Sequence, residues 1–234
     1  MERIERPTRV GRWNYLTVGG LAALTEAAIY VAGIVYFLVI LDFATVTAPL
    51  QQVELFAANQ TSLYAMYLLI YVVFGVVLVP LVLVLHARLK TDAPMLMGAT
   101  TAFGLIWAGL VIASGMIANL TTGVVVDLYS TDPAQATTVW LAVSPVIDGL
   151  GGGNEIVGGI WTLLVSVVAL RTRALHRVLN YVGLVVGAAG ILSAVPALGE
   201  VGGGIFGLTQ IIWFVGLGIL LLRASRRETS PAAR

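Results

Sequence analysis

The chain has 234 residues, of which 59% are hydrophobic and 11% are charged, and its formal net charge is +1. An ordinary soluble domain carries about 25% charged residues, so this composition argues against a soluble globular protein and predicts one embedded in a lipid bilayer. The small net charge argues against nucleic acid as a partner. The absence of cysteine excludes disulfides and thiolate metal sites.

Six segments of the sequence are long and apolar enough to cross a membrane as helices. A crossing helix needs about 20 predominantly apolar residues. This requirement is met at residues 16–41, 62–85, 95–120, 146–170, 178–198 and 204–222. We therefore predict an all-α fold, a single bundle of six transmembrane helices over residues 1–234, with a short basic tail at 223–234.

Every lysine and arginine falls in four segments outside these spans. They are Arg3, Arg6, Arg9, Arg12, Arg88, Lys90, Arg171, Arg173, Arg177, Arg223, Arg226, Arg227 and Arg234. In a chain with six spans these four segments lie on the same side of the membrane. Since short cytoplasmic loops collect the positive charge of a membrane protein, we expect both termini in the cytoplasm and the protein in the plasma (inner) membrane.

The two longer exterior connections each contain a signal for the start of a helix. Between spans one and two, Thr47 is a candidate cap and Pro49 falls in the first turn. Between spans three and four, Thr131 or Asp132 precedes Pro133 in the same way. We expect a short exterior helix in each connection, and we expect the two to cover the exterior end of the bundle together.

Three polar side chains are predicted to lie near the middle of the membrane. Counted from the nearest cytoplasmic arginine, Glu155, Glu26 and Gln210 lie about 24, 21 and 20 Å deep in a hydrocarbon core of about 30 Å. On the same scale Asp148 lies about 34 Å away, at the exterior rim. A carboxyl group at mid-bilayer is costly unless it faces the helix bundle or a wet cavity, so we expect both glutamates to face inward.

Tyrosines are the predicted partners of these acids. Glu26 and Tyr30 are four residues apart, and Tyr67 and Tyr71 repeat this spacing on the second span, so each pair shares one helix face. A tyrosine hydroxyl can hydrogen-bond a carboxyl group in either protonation state. Because no lysine or arginine lies in any predicted span, we expect the buried glutamates to be neutral.

The segment DGLGGGNE, residues 148–155, is predicted to weaken the fourth span. Each glycine destabilises a helix by about 1 kcal/mol relative to alanine, and unwound backbone is tolerated in a membrane only where it lines protein or water. One interpretation is a broken helix whose free groups form a binding site with Asn154 and Glu155. The other is close packing, in which the glycines admit a neighbouring helix and the polar groups bond to it.

A weak internal similarity relates the first and fourth spans. Thr25-Glu26 and Asn154-Glu155 each precede a run of small and bulky apolar residues. With three spans in each half, the two copies have opposite orientation, like the inverted repeats of small transporters. Chance explains this match about as well as duplication does.

The sequence contains no motif of a known catalytic mechanism. There is no GxSxG, HExxH or P-loop pattern, and both histidines, His86 and His176, fall at the predicted cytoplasmic interface. We therefore expect no catalytic residue, no metal site and no cofactor.

Two stretches carry a resemblance to a known family. GRWNYLTVGGLAAL and GGIWTLLVSVVALRTRALHRVLNYVGLVVGAAGILS, together with the length and the six-span layout, resemble the prokaryotic multi-pass membrane proteins grouped as domain of unknown function 4386. The resemblance implies an all-helical membrane fold without an established activity. It supplies no catalytic residues.

Three functions stay open. The leading one is a non-enzymatic protein that binds or moves a small ligand or protons through a mid-membrane polar site. The candidate site residues are Glu155, Asn154, Glu26, Gln210, Tyr30, Tyr71, Tyr67 and Asp148. The rival is a structural or accessory subunit whose exterior segments contact a membrane-protein partner or a second copy of the chain. An intramembrane enzyme is third. A cavity that reaches Glu155 would favour the first, and a filled core would favour the second.

Overall fold

The computed structural model describes residues 14–152 and 155–229, and helix dominates this part of the chain. The α-helices are α1 (Tyr15–Val35), α2 (Pro49–Tyr67), α3 (Phe74–Leu89), α4 (Pro94–Tyr129), α5 (Pro133–Ile147), α6 (Ile156–Thr172), α7 (Arg177–Leu192) and α8 (Gly199–Thr229). Wider π-helical segments extend α1, join α2 to α3 and extend α5, at Tyr36–Ile40, Leu68–Val73 and Asp148–Gly152. The predicted all-α class is confirmed for these residues.

Five helical runs among the described residues are long and apolar enough to cross a membrane. They are Tyr15–Ile40, Pro49–Leu89, Pro94–Tyr129, Pro133–Thr172 and Gly199–Glu228. The sixth apolar helix, α7, has 16 residues and is shorter than the predicted span 178–198. It ends at Leu192 and a series of turns leads through Pro196 to α8, since proline lacks the N–H that a continuing helix needs. These lengths are those of a helical membrane bundle.

A helix begins in each of the two predicted connections, but each continues into a longer helical run, Pro49–Leu89 and Pro133–Thr172, so the expectation of short, separate helices is wrong. α2 begins at Pro49 as expected, but it bends at Asn59 (φ −125°, ψ 20°) and continues through a π-helical segment into α3. No glycine or proline lies between Pro49 and Gly75 to end the helix. The residue before α2 is Ala48, whose side chain makes no capping bond, so Thr47 is not the cap.

The segment between the third and fourth predicted spans also belongs to a longer helical run, and the start of its helix was predicted correctly. Asp132 caps α5 by accepting a hydrogen bond from the backbone N–H of Gln135, at 2.9 Å. The two segments that were predicted to be exterior pack together: Trp140 Nε1 on α5 donates to Gln52 Oε1 on α2 at 2.7 Å. The rings of Trp140 and Phe56 meet edge to face, with centroids 4.7 Å apart.

Glycines bring two pairs of helices into backbone contact. A Cβ atom at Gly159 of α6 would lie 2.9 Å from the carbonyl oxygen of Gly187 and from Cα of Gly190, both on α7. A Cβ atom at Gly218 of α8 would lie 2.9 Å from the carbonyl oxygen of Gly20 on α1. Small residues permit such close approach of helices in lipid. The start of α6 is therefore held directly against α7.

The first and last described helices meet at one end of the bundle. Thr17 Oγ1 near the start of α1 lies 2.7 Å from Ser225 Oγ near the end of α8. Asn14 Nδ2 donates to Glu228 Oε2 across the same contact, at 3.3 Å. Arg88 in the last turn of α3 and His176 after α6 lie at this end as well, because both line one cavity with Arg223 of α8.

Candidate functional site

A cavity of about 360 Å³ lies between α1, α3, α4 and the segment that precedes α6. Its polar lining comes from Glu155, Tyr30 and Tyr71, and the rest is apolar, including the rings of Phe74 and Trp107. Phe74 contacts both aromatic neighbours edge to face, with ring centroids 5.5 Å from Tyr30 and 5.3 Å from Trp107. The cavity therefore presents one carboxyl group and two hydroxyls in a mostly aromatic and aliphatic wall.

A break in the fourth helical run opens this cavity. The π-helical segment after α5 reaches Gly151, whose φ of 135° and ψ of 13° are outside the range of L-residues in a helix. α6 then begins at Ile156, and Glu155 precedes it with non-helical angles (φ −97°, ψ 14°). Gly151 and Glu155 both line the cavity. The predicted interruption of the fourth span is present.

The backbone beside Glu155 is held by α7. The N–H of Glu155 donates to Ser193 Oγ at 3.2 Å, and this hydroxyl donates in turn to the carbonyl oxygen of Gly190 at 2.7 Å. The carbonyl oxygen of Glu155 accepts the first α6 bond, from the N–H of Gly159 at 2.8 Å. Ser193 lies 38 residues away in sequence, and no local pattern points to it, so sequence reasoning missed this anchor.

A second cavity, of about 440 Å³, lies beside the first on the α5 side. It is lined by Asp148, Tyr67 and Gln52 among others, and it shares Phe37, Ile70 and Tyr71 with the first cavity. The rings of Tyr67 and Tyr71 are 5.8 Å apart. Tyr71 thus stands between Asp148 in one cavity and Glu155 in the other.

The predicted polar layer is divided in the structure. Glu26 is fully buried, neither of its carboxyl oxygens has a hydrogen-bond partner, and it lines neither cavity. Gln210 is also fully buried outside both cavities, and its Oε1 accepts a hydrogen bond from Thr162 at 3.2 Å. Asn154 lies outside the described residues. The structure therefore brings together Glu155, Tyr30 and Tyr71, with Tyr67 and Asp148 next to them.

The aromatic wall was not predicted as part of a site. Phe74, Trp107 and Phe37 come from three different elements, and an aromatic residue within a span gives no indication of which neighbours it will meet. In the part of the chain that the structure describes, no three histidine, cysteine, aspartate or glutamate side chains form a group suited to a metal ion.

No family model matches the chain, and no similar protein is found among curated proteins or among solved structures. The resemblance to domain of unknown function 4386 therefore stays a prediction.

Proposed function

We propose that the protein binds a small ligand or a proton at Glu155 and moves it between this cavity and the side of the membrane to which Asp148 is closer. The single observation that carries the proposal is the helix break at Gly151, which exposes a carboxyl group to a cavity among membrane-length helices. Discontinuous helices form the binding sites of many transporters in the same way. The shared residue Tyr71 supplies the connection toward Asp148.

The cavity lining favours a ligand with an apolar body and one positive group. Glu155 is the carboxyl group in the cavity, and no lysine or arginine lines it. A ligand cation would supply the missing positive charge, and the faces of Trp107, Phe74 and Tyr30 attract cations through their π-systems. Without ligand, a proton on Glu155 neutralises the same group. Binding of the cation and of the proton would then exclude each other.

We also propose a six-span arrangement with both termini in the cytoplasm of a plasma (inner) membrane. α7 counts as the sixth span: its 16 residues measure about 24 Å, and the turns before α8 complete the crossing within protein surroundings. The basic residues gathered where α1 begins and α8 ends support a cytoplasmic assignment for that end.

Binding of tetraphenylphosphonium to the purified full chain tests the proposed ligand site. We expect Glu155→Gln to weaken binding at least about 30-fold, because it removes the countercharge from a poorly solvated cavity. The variant should still fold, since glutamine has hydrogen-bonding needs similar to those of a neutral glutamic acid. Glu200→Gln is the matched control, because Glu200 is exposed and does not line the cavity.

Two outcomes would contradict the proposal. Equal binding by the wild type and Glu155→Gln would place the ligand elsewhere. The second outcome combines two negative results: the wild type binds neither this cation nor its neutral analogue triphenylphosphine oxide, and reconstituted vesicles show no proton uptake. These results would favour a structural or accessory subunit.

A further inference from the structure

A second cavity-lining cluster, independent of Glu155, lies at the end of the bundle where α1 begins and α8 ends. The cavity measures about 390 Å³ and is formed by three parts of the chain: the end of α3, the connection between α6 and α7, and the last turns of α8. Its basic lining consists of Arg88, His176, Arg223 and Arg227. Basic side chains from distant parts of the sequence thus line one cavity.

Four further residues in the lining of this cavity are apolar. They are Leu220 and Ala224 of α8 and Ala174 and Leu175 of the α6–α7 connection. Leu220, Ala224 and the two α8 arginines share one face of the helix, since positions three, four and seven apart lie on the same side. The lining of the site therefore combines basic side chains with apolar ones.

The positive charge of the basic side chains is only partly balanced by acidic side chains in the same lining. The one acid in the lining is Glu228, and its Oε2 accepts a hydrogen bond from Asn14 on α1 at 3.3 Å. The Nε atom of Arg88 is buried and has no hydrogen-bond partner. A buried guanidinium N–H without an acceptor is costly, and an anionic oxygen would satisfy it.

The neighbouring surface extends the basic region. An adjacent cavity of about 440 Å³ shares Leu175 and His176 with the cavity at Arg88, and it is also lined by Arg173 and Arg177. The α6–α7 connection therefore carries basic side chains into both cavities. Basic pockets between membrane helices on the cytoplasmic side are suited to the headgroups of anionic lipids.

We propose that this cavity binds the phosphate of an anionic phospholipid, with Arg88 and Arg223 as phosphate ligands and the apolar lining residues in contact with the adjoining glycerol and acyl groups of the lipid. Free inorganic phosphate would be recognised by the same arginines. The apolar lining residues favour the lipid, because a free anion gains nothing from contact with Leu220 and Leu175.

Native mass spectrometry of the delipidated full chain, offered equal amounts of phosphatidylglycerol and phosphatidylcholine, tests this site. We expect the wild type to retain phosphatidylglycerol preferentially. The double variant Arg88→Gln/Arg223→Gln should lose most of this preference, by about 25-fold, since each basic residue near an anionic lipid contributes about fivefold in affinity. Single Arg223→Gln, at an exposed position, should show about a fivefold loss and remains informative if the double variant does not fold.

The matched control separates a built site from a generally basic membrane surface. Lys90→Gln/Arg171→Gln removes the same charge from exposed positions that line neither basic cavity, and it should keep the preference for phosphatidylglycerol. Equal losses in the two double variants would overturn the proposal, as would the absence of any preference in the wild type. Displacement of the bound lipid by millimolar inorganic phosphate would also overturn it, by assigning the site to the free anion.

Discussion

Glu26 and Glu155 both lie among packed helices, but Glu155 lines a cavity and Glu26 lines neither of the two cavities at this site. Glu26 sits inside the unbroken α1, fully buried and without a hydrogen-bond partner for either oxygen. Glu155 lies at the end of a helix break, where the backbone turns away at Gly151 and leaves a cavity of about 360 Å³. A deep position in the bundle is therefore not sufficient to place a carboxyl group in a binding site. The break in the helix provides the room that a ligand needs.

Chemical labelling tests most directly whether the carboxyl groups of Glu26 and Glu155 differ in accessibility. Dicyclohexylcarbodiimide is an apolar reagent that adds to protonated carboxyl groups, and the first cavity gives it access to Glu155. Reaction at Glu26 would require local opening of the bundle, and an opening cost of about 3 kcal/mol slows labelling about 100-fold. We therefore expect Glu155 to be labelled at least about 100 times faster, as measured by mass spectrometry of peptides from the full chain.

Two variants control this labelling experiment. Glu155→Gln should remove the fast labelling, and Glu26→Gln should leave it unchanged. Labelling of Glu26 at the rate of Glu155 would show that the buried acid is as accessible as the one in the cavity, and the proposed distinction between them would be wrong.

The free energy of unfolding of two methionine variants should also distinguish Glu26 from Glu155. Glu26→Met replaces a buried carboxyl group that has no hydrogen-bond partner by an apolar side chain of similar length, and it should raise the free energy of unfolding by about 2 kcal/mol. Glu155→Met should change it by less than about 0.5 kcal/mol, because the cavity already leaves room for either side chain. Reversible unfolding in mixed detergent micelles measures both. Destabilisation by Glu26→Met would indicate that the carboxyl group has a partner, such as a buried water.

The helical fold and the interruption before α6 could be predicted because their causes are local. Apolar length predicts membrane helices, the Asp132-Pro133 pair predicts the start of α5, and consecutive glycines predict a weak point near Gly151. The prediction that Glu26 and Glu155 belong to one site is based mainly on their similar depth in the membrane. Depth is obtained by counting residues along one helix, so it does not show whether the neighbouring helices leave a cavity beside the side chain.

The composition of the cavity depends on contacts between distant elements, and a single sequence does not contain that information. The π-helical segment Leu68–Val73 changes the register of the second helical run between Tyr67 and Phe74, and it contains Tyr71, which lines both cavities. Glu155 is anchored by Ser193. Periodicity in the sequence assumes a regular α-helix, so it missed the first effect, and the second requires knowing that α7 packs on α6.

The smallest expected effect on the free energy of unfolding concerns the helix break. Alanine substitutions at Gly151 and at the nearby Gly149 test whether the break depends on the backbone conformation of Gly151. Gly151 has a φ of 135°, and an alanine there would be strained, whereas a Cβ atom at Gly149 would meet nothing within 4 Å. We expect Gly151→Ala to lower the free energy of unfolding by about 1 kcal/mol. Gly149→Ala should leave it unchanged or raise it slightly, because alanine favours helix. If Gly151→Ala were as stable as the wild type and kept fast carbodiimide labelling of Glu155, the positive φ would not be needed to open the cavity, and the cause of the difference between the two glutamates would lie in the packing of α7 against α6 instead.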